Sequence, residues 1–187
     1  MVDEMILKKI EGFPNFWGWG YEDELLTFEE ENNIDERIAK TFELDSVERI
    51  EIPKIENVNL PESSLKSPNS LQAIVSNDKL ERLNHTYGKS FPDSARSILG
   101  QFPAPPDFVA FPDSEEDITN ILDWASSNDI AVIPYGGGSS VCGGVETNVG
   151  DDYNGVISLD MKNLNSIIVN FLNIFPISLR SLHISKL

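Results

Sequence analysis

Cysteine, histidine and basic residues are all scarce in this chain of 187 residues. The one cysteine, Cys142, excludes an intrachain disulfide framework and a cysteine-rich zinc site, and it suits a reducing compartment. The two histidines, His85 and His183, are too few for a histidine-based metal cluster, so no metal site is predicted. The 14 basic residues stand against 31 acidic ones, which gives a formal net charge of −17. This charge argues against nucleic acid and anionic membrane surfaces as partners.

Long hydrophobic runs are also missing. The longest apolar stretch, residues 167–179, contains Asn170, Asn173 and Pro176, and it is too short and too broken to span a bilayer. The opening MVDEMILKKI is acidic and lacks the apolar core of a secretory signal. We therefore expect a soluble protein without a transmembrane span.

The acidic residues are unevenly distributed. All of them lie at or before Asp160, which leaves a charge of −20 up to that point and +3 over residues 161–187. The two parts differ in composition as two unrelated sequences would. With 40% hydrophobic residues, the chain has room for one domain and an appendage.

The first hundred residues give general signals. The aromatic residues of FPNFWGWG at 13–20 could stack on a ligand, but clustered aromatic side chains more often anchor a segment on a core, and we favour that interpretation. Helices are predicted over 35–42 and around 71–83, with a turn-rich connector at 61–70 between them. The prolines of QFPAPP at 101–106 break the chain before the next unit.

Residues 106–159 carry a strand, helix, strand pattern. A short strand is predicted over 108–111, followed by a helix to Ser127 that Ser114 caps, with Asp117 completing a capping box. One apolar stripe on that helix follows a helical repeat, at Ile118, Ile121, Leu122 and Ala125. The run IAVIP at 130–134 predicts a fully buried parallel strand, and GVISL at 155–159 is a second candidate strand.

The glycine-rich stretch PYGGGSSVCGGVE at 134–146 follows the buried strand, at the end where α/β proteins bind ligands. Three glycines at 136–138 allow positive φ angles and let a ligand approach successive amides, which together form an anion nest. Ser139 and Ser140 add hydroxyl donors, and Val141 is expected to return the chain to an apolar environment. A phosphate or pyrophosphate fits such a surface.

Two familiar phosphate loops do not fit the spacing. A Walker A loop needs a lysine after its second glycine, where this chain has Gly144, and a GxGxxG fingerprint starting at Gly136 needs a glycine in place of Val141. A purely structural glycine turn, which lets two backbones pass closely, stays open as the alternative.

The block from Pro106 to Asn165 resembles the FAD-binding domain of vanillyl-alcohol oxidase-type flavoproteins. Together with FPNFWGWG, HTYGKSFPD at 85–93 and PDFVAFP, the glycine stretch resembles the alkyldihydroxyacetonephosphate synthase branch. The resemblance covers residues 10–165 and implies an α+β fold: the first subdomain of a two-subdomain FAD-binding fold, with an acidic amino-terminal extension. The implied division is an extension over 1–100, the first part of the FAD-binding domain over 101–165, and a divergent tail over 166–187.

The same resemblance implies FAD as the cofactor, with its pyrophosphate on the glycine loop. The residues it assigns to that role are Pro134, Tyr135, Gly136, Gly137, Gly138, Ser139, Ser140 and Val141. It implies an ether-lipid reaction in which the acyl chain of acyl-dihydroxyacetone phosphate is exchanged for a fatty alcohol. The flavin would act as a covalent electrophilic trap without net redox change. Related branches oxidise 2-hydroxy acids such as D-lactate, and the loop alone does not separate these chemistries.

After LDMKNLN the chain departs from the family pattern. We expect a truncated form that lacks the substrate and catalytic region, so no catalytic residue is assigned and a non-catalytic flavin-domain fragment is the alternative. His85 is interpreted as structural, a catalytic role for His183 has little support, and Cys142 is expected in a packed turn. Ser185, Lys186 and Leu187 form a terminal SKL, the address read by the peroxisomal import receptor. The protein is therefore expected in the peroxisome, or in the cytoplasm if the tail is an artefact.

Overall fold

The computed structural model describes residues 14–21 and 26–165. Several residues named above lie outside the described part: Phe13, His183, the divergent tail and its terminal Ser185, Lys186 and Leu187.

The amino-terminal part contains one long helix, α1, over Phe28–Phe42. Thr27 and Glu30 form a capping box at its start, which explains why the helix begins well before the predicted residue 35. It ends at Glu43, whose φ of 53° is left-handed. No residue of α1 is buried, and a 3₁₀ turn over Ile55–Asn57 follows it.

The predicted helix over 71–83 is wrong in its first half. A short strand, β1, occupies Val75–Ser76, and helix α2 covers only Lys79–Asn84. The carboxylate of Asp78 accepts hydrogen bonds from the amides of Leu80 at 2.9 Å and Glu81 at 3.2 Å, so it starts the helix there. A further helix that was not predicted, α3 over Phe91–Ile98, begins with a capping box of Ser90 and Asp93.

The strand, helix, strand pattern of the second half is confirmed. It consists of β2 over Phe108–Ala110, α4 over Glu115–Ser127, β3 over Ile130–Tyr135 and β4 over Gly155–Asp160. Ser114 caps α4, but the predicted capping box does not form. The carboxylate of Asp117 accepts from the amide of Asp113, at 3.1 Å, and not from the amide of Ser114. Leu122 is 45% exposed, so its place in the buried stripe was wrong.

The four strands form one mixed sheet in the order β1-β2-β4-β3. Strand β1 pairs antiparallel to β2, whereas β4 lies parallel to both β2 and β3. Because β4 inserts between β2 and β3, β3 lies at an edge of the described sheet. Its later residues Val132 and Ile133 are half-buried and Pro134 is exposed, so the prediction of a fully buried strand was wrong for this half.

Helix α4 covers one face of the sheet. The core between them is formed by Leu71, Ala110, Ile121, Ala125, Ile130, Ile157 and Leu159. Alternate residues of β4 point to the other face, where Asp160 meets His85 next to α2. A second cluster packs Phe16, Val58, Leu83, Tyr87 and Phe102 together. None of the helices in 14–21 and 26–165 is long and apolar enough to cross a membrane.

Candidate functional site

The glycine loop leaves the carboxyl end of β3, as the sequence predicted. Since β3 and β4 are parallel, the carboxyl end of β4 lies beside it, with Tyr135 in register with Asp160. The amide of Met161 donates to the carbonyl oxygen of Tyr135 at 2.9 Å, which joins the two strand ends. The loop therefore opens at the edge of the sheet where the carboxyl ends meet.

The first half of the loop is largely exposed, and its backbone amides have no partner in the described part of the chain. Gly136, Gly137 and Ser139 are exposed, and a β-carbon on Gly136 or Gly137 would have no heavy atom within 4 Å. Among the described residues, none accepts a hydrogen bond from the amides of 136–139. These unpaired donors can bind an anion from the open side without losing any internal hydrogen bond.

Only one of the three consecutive glycines has the positive φ that the run allowed. Gly138 has φ of +68° and is buried against the ring of Tyr135. The phenol of Tyr135 points away from the open side and donates to the carbonyl oxygen of Asn84 at 3.0 Å. Burial raises the pKa of this phenol, so Tyr135 stays neutral.

The residues after Gly138 depart from expectation in two places. Val141 is 63% exposed, so it does not return the chain to an apolar environment, and Cys142 is exposed where a packed turn was predicted. The hydroxyl of Ser140 accepts from the amide of Gly144 at 3.0 Å, which closes the loop on itself. The side chain of Ser139 faces solvent.

A buried histidine stands beside the loop. Nδ1 of His85 lies 2.7 Å from the carbonyl oxygen of Glu81, and Nε2 lies 3.2 Å from Oδ2 of Asp160. The ring packs on Tyr135 with 4.1 Å between centroids. Nζ of Lys162 is 3.8 Å from the same Asp160 oxygen. Both ring nitrogens face protein atoms, which agrees with a structural role for His85.

Sequence reasoning did not single out Lys89, which lies behind the loop. Its amide donates to the carbonyl oxygen of Ser140 at 2.7 Å, and its Nζ donates to the carbonyl oxygen of Asn15 at 2.9 Å. Burial lowers the pKa of this ammonium to about 8, although the charge of Asp93 acts in the opposite direction. The only local signal was its place in HTYGKSFPD.

The aromatic segment before α1 anchors on the second core cluster, in agreement with the interpretation favoured from sequence. Phe16 is buried against Phe102, with 6.1 Å between ring centroids, and Trp17 packs on the same cluster. Trp19 is 59% exposed, but its Nε1 donates to the carbonyl oxygen of Lys89 at 3.1 Å.

Other candidate sites are poorly supplied in the described residues. Within 14–21 and 26–165 no three histidine, cysteine or acidic side chains lie where they could share a metal ion. A cavity of about 370 Å³ lies between residues 56–62 and α2, and none of its lining residues belongs to the glycine loop.

Comparisons with known proteins identify relatives of this chain. Residues 106–171 match the family model described as FAD binding domain. The chain is 35% identical over 112 residues to the alkyldihydroxyacetonephosphate synthase of Trypanosoma brucei brucei, an alignment covering 56% of this chain and 18% of that protein. It is 31% identical over 134 residues to the synthase of Dictyostelium discoideum, covering 69% of this chain and 21% of that protein.

A different enzyme is also similar. D-lactate dehydrogenase [cytochrome] 1, mitochondrial, from Saccharomyces cerevisiae is 30% identical over 146 residues, covering 68% of this chain and 24% of the enzyme. Where these relatives align, this chain therefore spans about a fifth to a quarter of their length.

The fold has a counterpart among solved structures. An alkyldihydroxyacetonephosphate synthase matches with a TM-score of 0.66 at 23% identity, covering 83% of this chain and 34% of that one. The mixed α+β fold built around the glycine loop is thus that of the vanillyl-alcohol oxidase type. Residues 106–171 therefore belong to an FAD-binding domain with the vanillyl-alcohol oxidase-type fold, and the chain is related to the alkyldihydroxyacetonephosphate synthases.

Proposed function

We propose that the glycine loop holds the pyrophosphate of FAD, through residues 134–141. The observation that carries this proposal is the run of amides at 136–139, which have no acceptor among the described residues and belong to a loop with Gly136, Gly137 and Ser139 exposed, at the carboxyl edge of a parallel strand pair. Backbone amides bind phosphate oxygens without a formal charge of their own, which suits a chain with a net charge of −17.

The residues divide between binding and support. Gly136, Gly137 and Ser139 lie on the open side and would contact the ligand, whereas the side chain of Tyr135 is turned inward and supports the loop. Of residues 134–141, Tyr135 would thus contribute through its backbone. FAD itself, when bound, supplies the electrophilic ring chemistry, and the loop supplies only binding and orientation.

A titration of the purified chain with FAD tests the binding. Quenched flavin fluorescence and a flavin absorption band that stays with the protein through gel filtration support the proposal, whereas a colourless protein contradicts it. Gly137→Leu fills the open side and should abolish binding. Gly18→Ala, outside the loop, is the control, because a β-carbon on Gly18 also meets no heavy atom within 4 Å.

We further propose an activity of the alkylglycerone-phosphate synthase type, in which a fatty alcohol replaces the acyl chain of acyl-dihydroxyacetone phosphate. The named synthase relatives support it. A second candidate is an FAD-linked D-2-hydroxy-acid dehydrogenase, which the yeast relative favours.

One pair of assays separates these activities. Transfer of labelled fatty alcohol into an alkyl product supports the first, and reduction of a dye by D-lactate supports the second. Flavin binding with neither reaction would make this chain a non-catalytic flavin-domain form.

The location proposed is the peroxisome, with Ser185, Lys186 and Leu187 as the ligand of the import receptor. A fluorescent protein fused to the amino terminus should colocalise with a peroxisomal marker, and deletion of Leu187 should return it to the cytoplasm. Peroxisomal fluorescence that persists after the deletion would contradict the role of this tripeptide.

A further inference from the structure

The glycine loop runs alongside a short, largely buried segment, residues Asn84–Lys89, which we call the loop brace. Three backbone positions of the brace bond to the loop or to Thr147, the residue that follows it. The carbonyl oxygen of Asn84 accepts from the Tyr135 phenol at 3.0 Å. The carbonyl oxygen of Thr86 accepts from the Thr147 amide at 3.3 Å, and the amide of Lys89 donates to Ser140 at 2.7 Å. The loop is therefore held at Tyr135 and at Ser140, and the chain is held again directly after the loop, at Thr147.

The closest approach is at Gly88. A β-carbon on this buried glycine would collide with the carbonyl oxygen of Ser140, and it would also lie 3.0 Å from the carbonyl carbon and 3.3 Å from Cβ of the same residue. Two of these three atoms belong to the backbone, so the rotation of a side chain could not relieve the conflict. The φ of Gly88 is not positive, so contact with Ser140, and not backbone conformation, requires glycine here.

The brace is itself well fixed. The side chains of His85, Thr86 and Tyr87 are buried, and each has a polar partner outside the loop. His85 lies against Asp160, the hydroxyl of Thr86 donates to the carbonyl oxygen of Arg82 at 2.8 Å, and that of Tyr87 donates to Gln101 at 2.9 Å. These contacts fix the brace independently of the loop.

We propose that the loop brace sets the anion-binding conformation of the glycine loop before any ligand binds, with Gly88 as the positioning residue. The inference rests on the proposed function, because its consequence for binding is at the FAD pyrophosphate. A loop already in its binding conformation loses less entropy when the ligand arrives, which strengthens binding without any direct contact from Gly88.

Two alanine variants of the full chain separate the brace from the binding surface. Gly88→Ala adds a methyl group behind the loop, whereas Gly137→Ala adds one on its open side, where nothing lies within 4 Å. In ¹H–¹⁵N spectra without ligand, Gly88→Ala should shift the amide signals of 136–140 together, and Gly137→Ala should shift only its neighbours. Unchanged loop signals in folded Gly88→Ala would overturn the proposal.

Amide hydrogen exchange in the unmodified chain provides a second test, which does not depend on whether Gly88→Ala folds. The amides of Lys89 and Thr147 should be protected and should open together. Exchange of the Lys89 amide at the rate of an unstructured peptide would also overturn the proposal.

Binding of FAD and of inorganic pyrophosphate completes the comparison. We expect Gly88→Ala to weaken both ligands by at least about tenfold, the factor that about 1.4 kcal/mol represents. Equal affinity in folded Gly88→Ala and the unmodified chain would refute the role of the brace in binding, without affecting the proposed function of the loop. Absence of FAD binding in the unmodified chain would refute the proposed function, and the spectra would still decide about the brace.

Discussion

The side chain of Tyr135 occupies the space that a β-carbon on Gly138 would need. The phenolic oxygen is the atom that such a carbon would meet first, and the ring carbon that bears it would be 2.6 Å away. Tyr135 is fixed in place by its bond to Asn84 and by the ring of His85. The last strand residue thus determines which residue the loop can have three positions later.

Gly138→Ala should lower the free energy of unfolding by about 1 to 3 kcal/mol, because it combines a left-handed φ with a steric conflict. Gly137→Ala is the matched control, since its β-carbon would be in open space and its φ is not positive. Urea denaturation followed by circular dichroism measures both. Equal losses in the two variants would show that the ring of Tyr135 does not restrict the loop.

Lys89 should make stability depend on pH in the alkaline range. The folded protein releases the ammonium proton near pH 8, whereas the unfolded chain holds it to about pH 10.5. The unfolded chain therefore binds more protons between these values, so stability should rise with pH there. At about 1.4 kcal/mol per pKa unit, the full rise is at most about 3.5 kcal/mol.

The control for this prediction is Lys89→Met, which replaces the lysine with an unbranched side chain that does not titrate. This variant should lack the rise of stability with pH. Denaturation curves are best compared between pH 8 and 10, because the raised pKa values of Tyr87 and Tyr135 act in the opposite direction above that range. Parallel pH profiles for the two proteins would contradict the assignment.

Local patterns predicted much of the second half of the chain. The repeat of apolar residues and the Ser114 cap predicted α4, and the two apolar runs predicted β3 and β4. Local patterns also misled where a neighbour decides the outcome. An apolar run does not reveal that β3 is an edge strand of the described sheet, so its half-exposed residues were predicted as buried.

The glycine loop could be recognised from sequence, but its support could not. Gly88 is a single glycine about fifty positions before Ser140, and no local repeat or turn signal connects them. The contact depends on how α2 packs against the sheet. Helix α3, by contrast, had a readable signal in the capping box of Ser90 and Asp93.

Asp107 should be essential for the sheet that carries the loop. Its Oδ1 accepts from the amide of Ser64 at 2.6 Å, and its Oδ2 accepts from the amide of Val156 at 2.9 Å. Asp107→Ala leaves both amides without their acceptor, at the point where β4 begins beside β2. We expect a loss of about 1 to 3 kcal/mol in the free energy of unfolding, since the amide of Val156 is buried and a buried unpaired amide costs about that much, whereas Ser64 is exposed and its amide can bond to water.

Asp123→Ala is the control, because Asp123 lies on the exposed side of α4 and should change stability by less than about 0.5 kcal/mol. The same variants also test the connection to the ligand. If Asp107 fixes the register of β4 against β2, the loss of stability should be accompanied by weaker FAD binding, because the carboxyl ends of the strands carry the loop. Asp107→Ala that is as stable as Asp123→Ala would show that neither β4 nor the connector over 61–70 depends on this carboxylate.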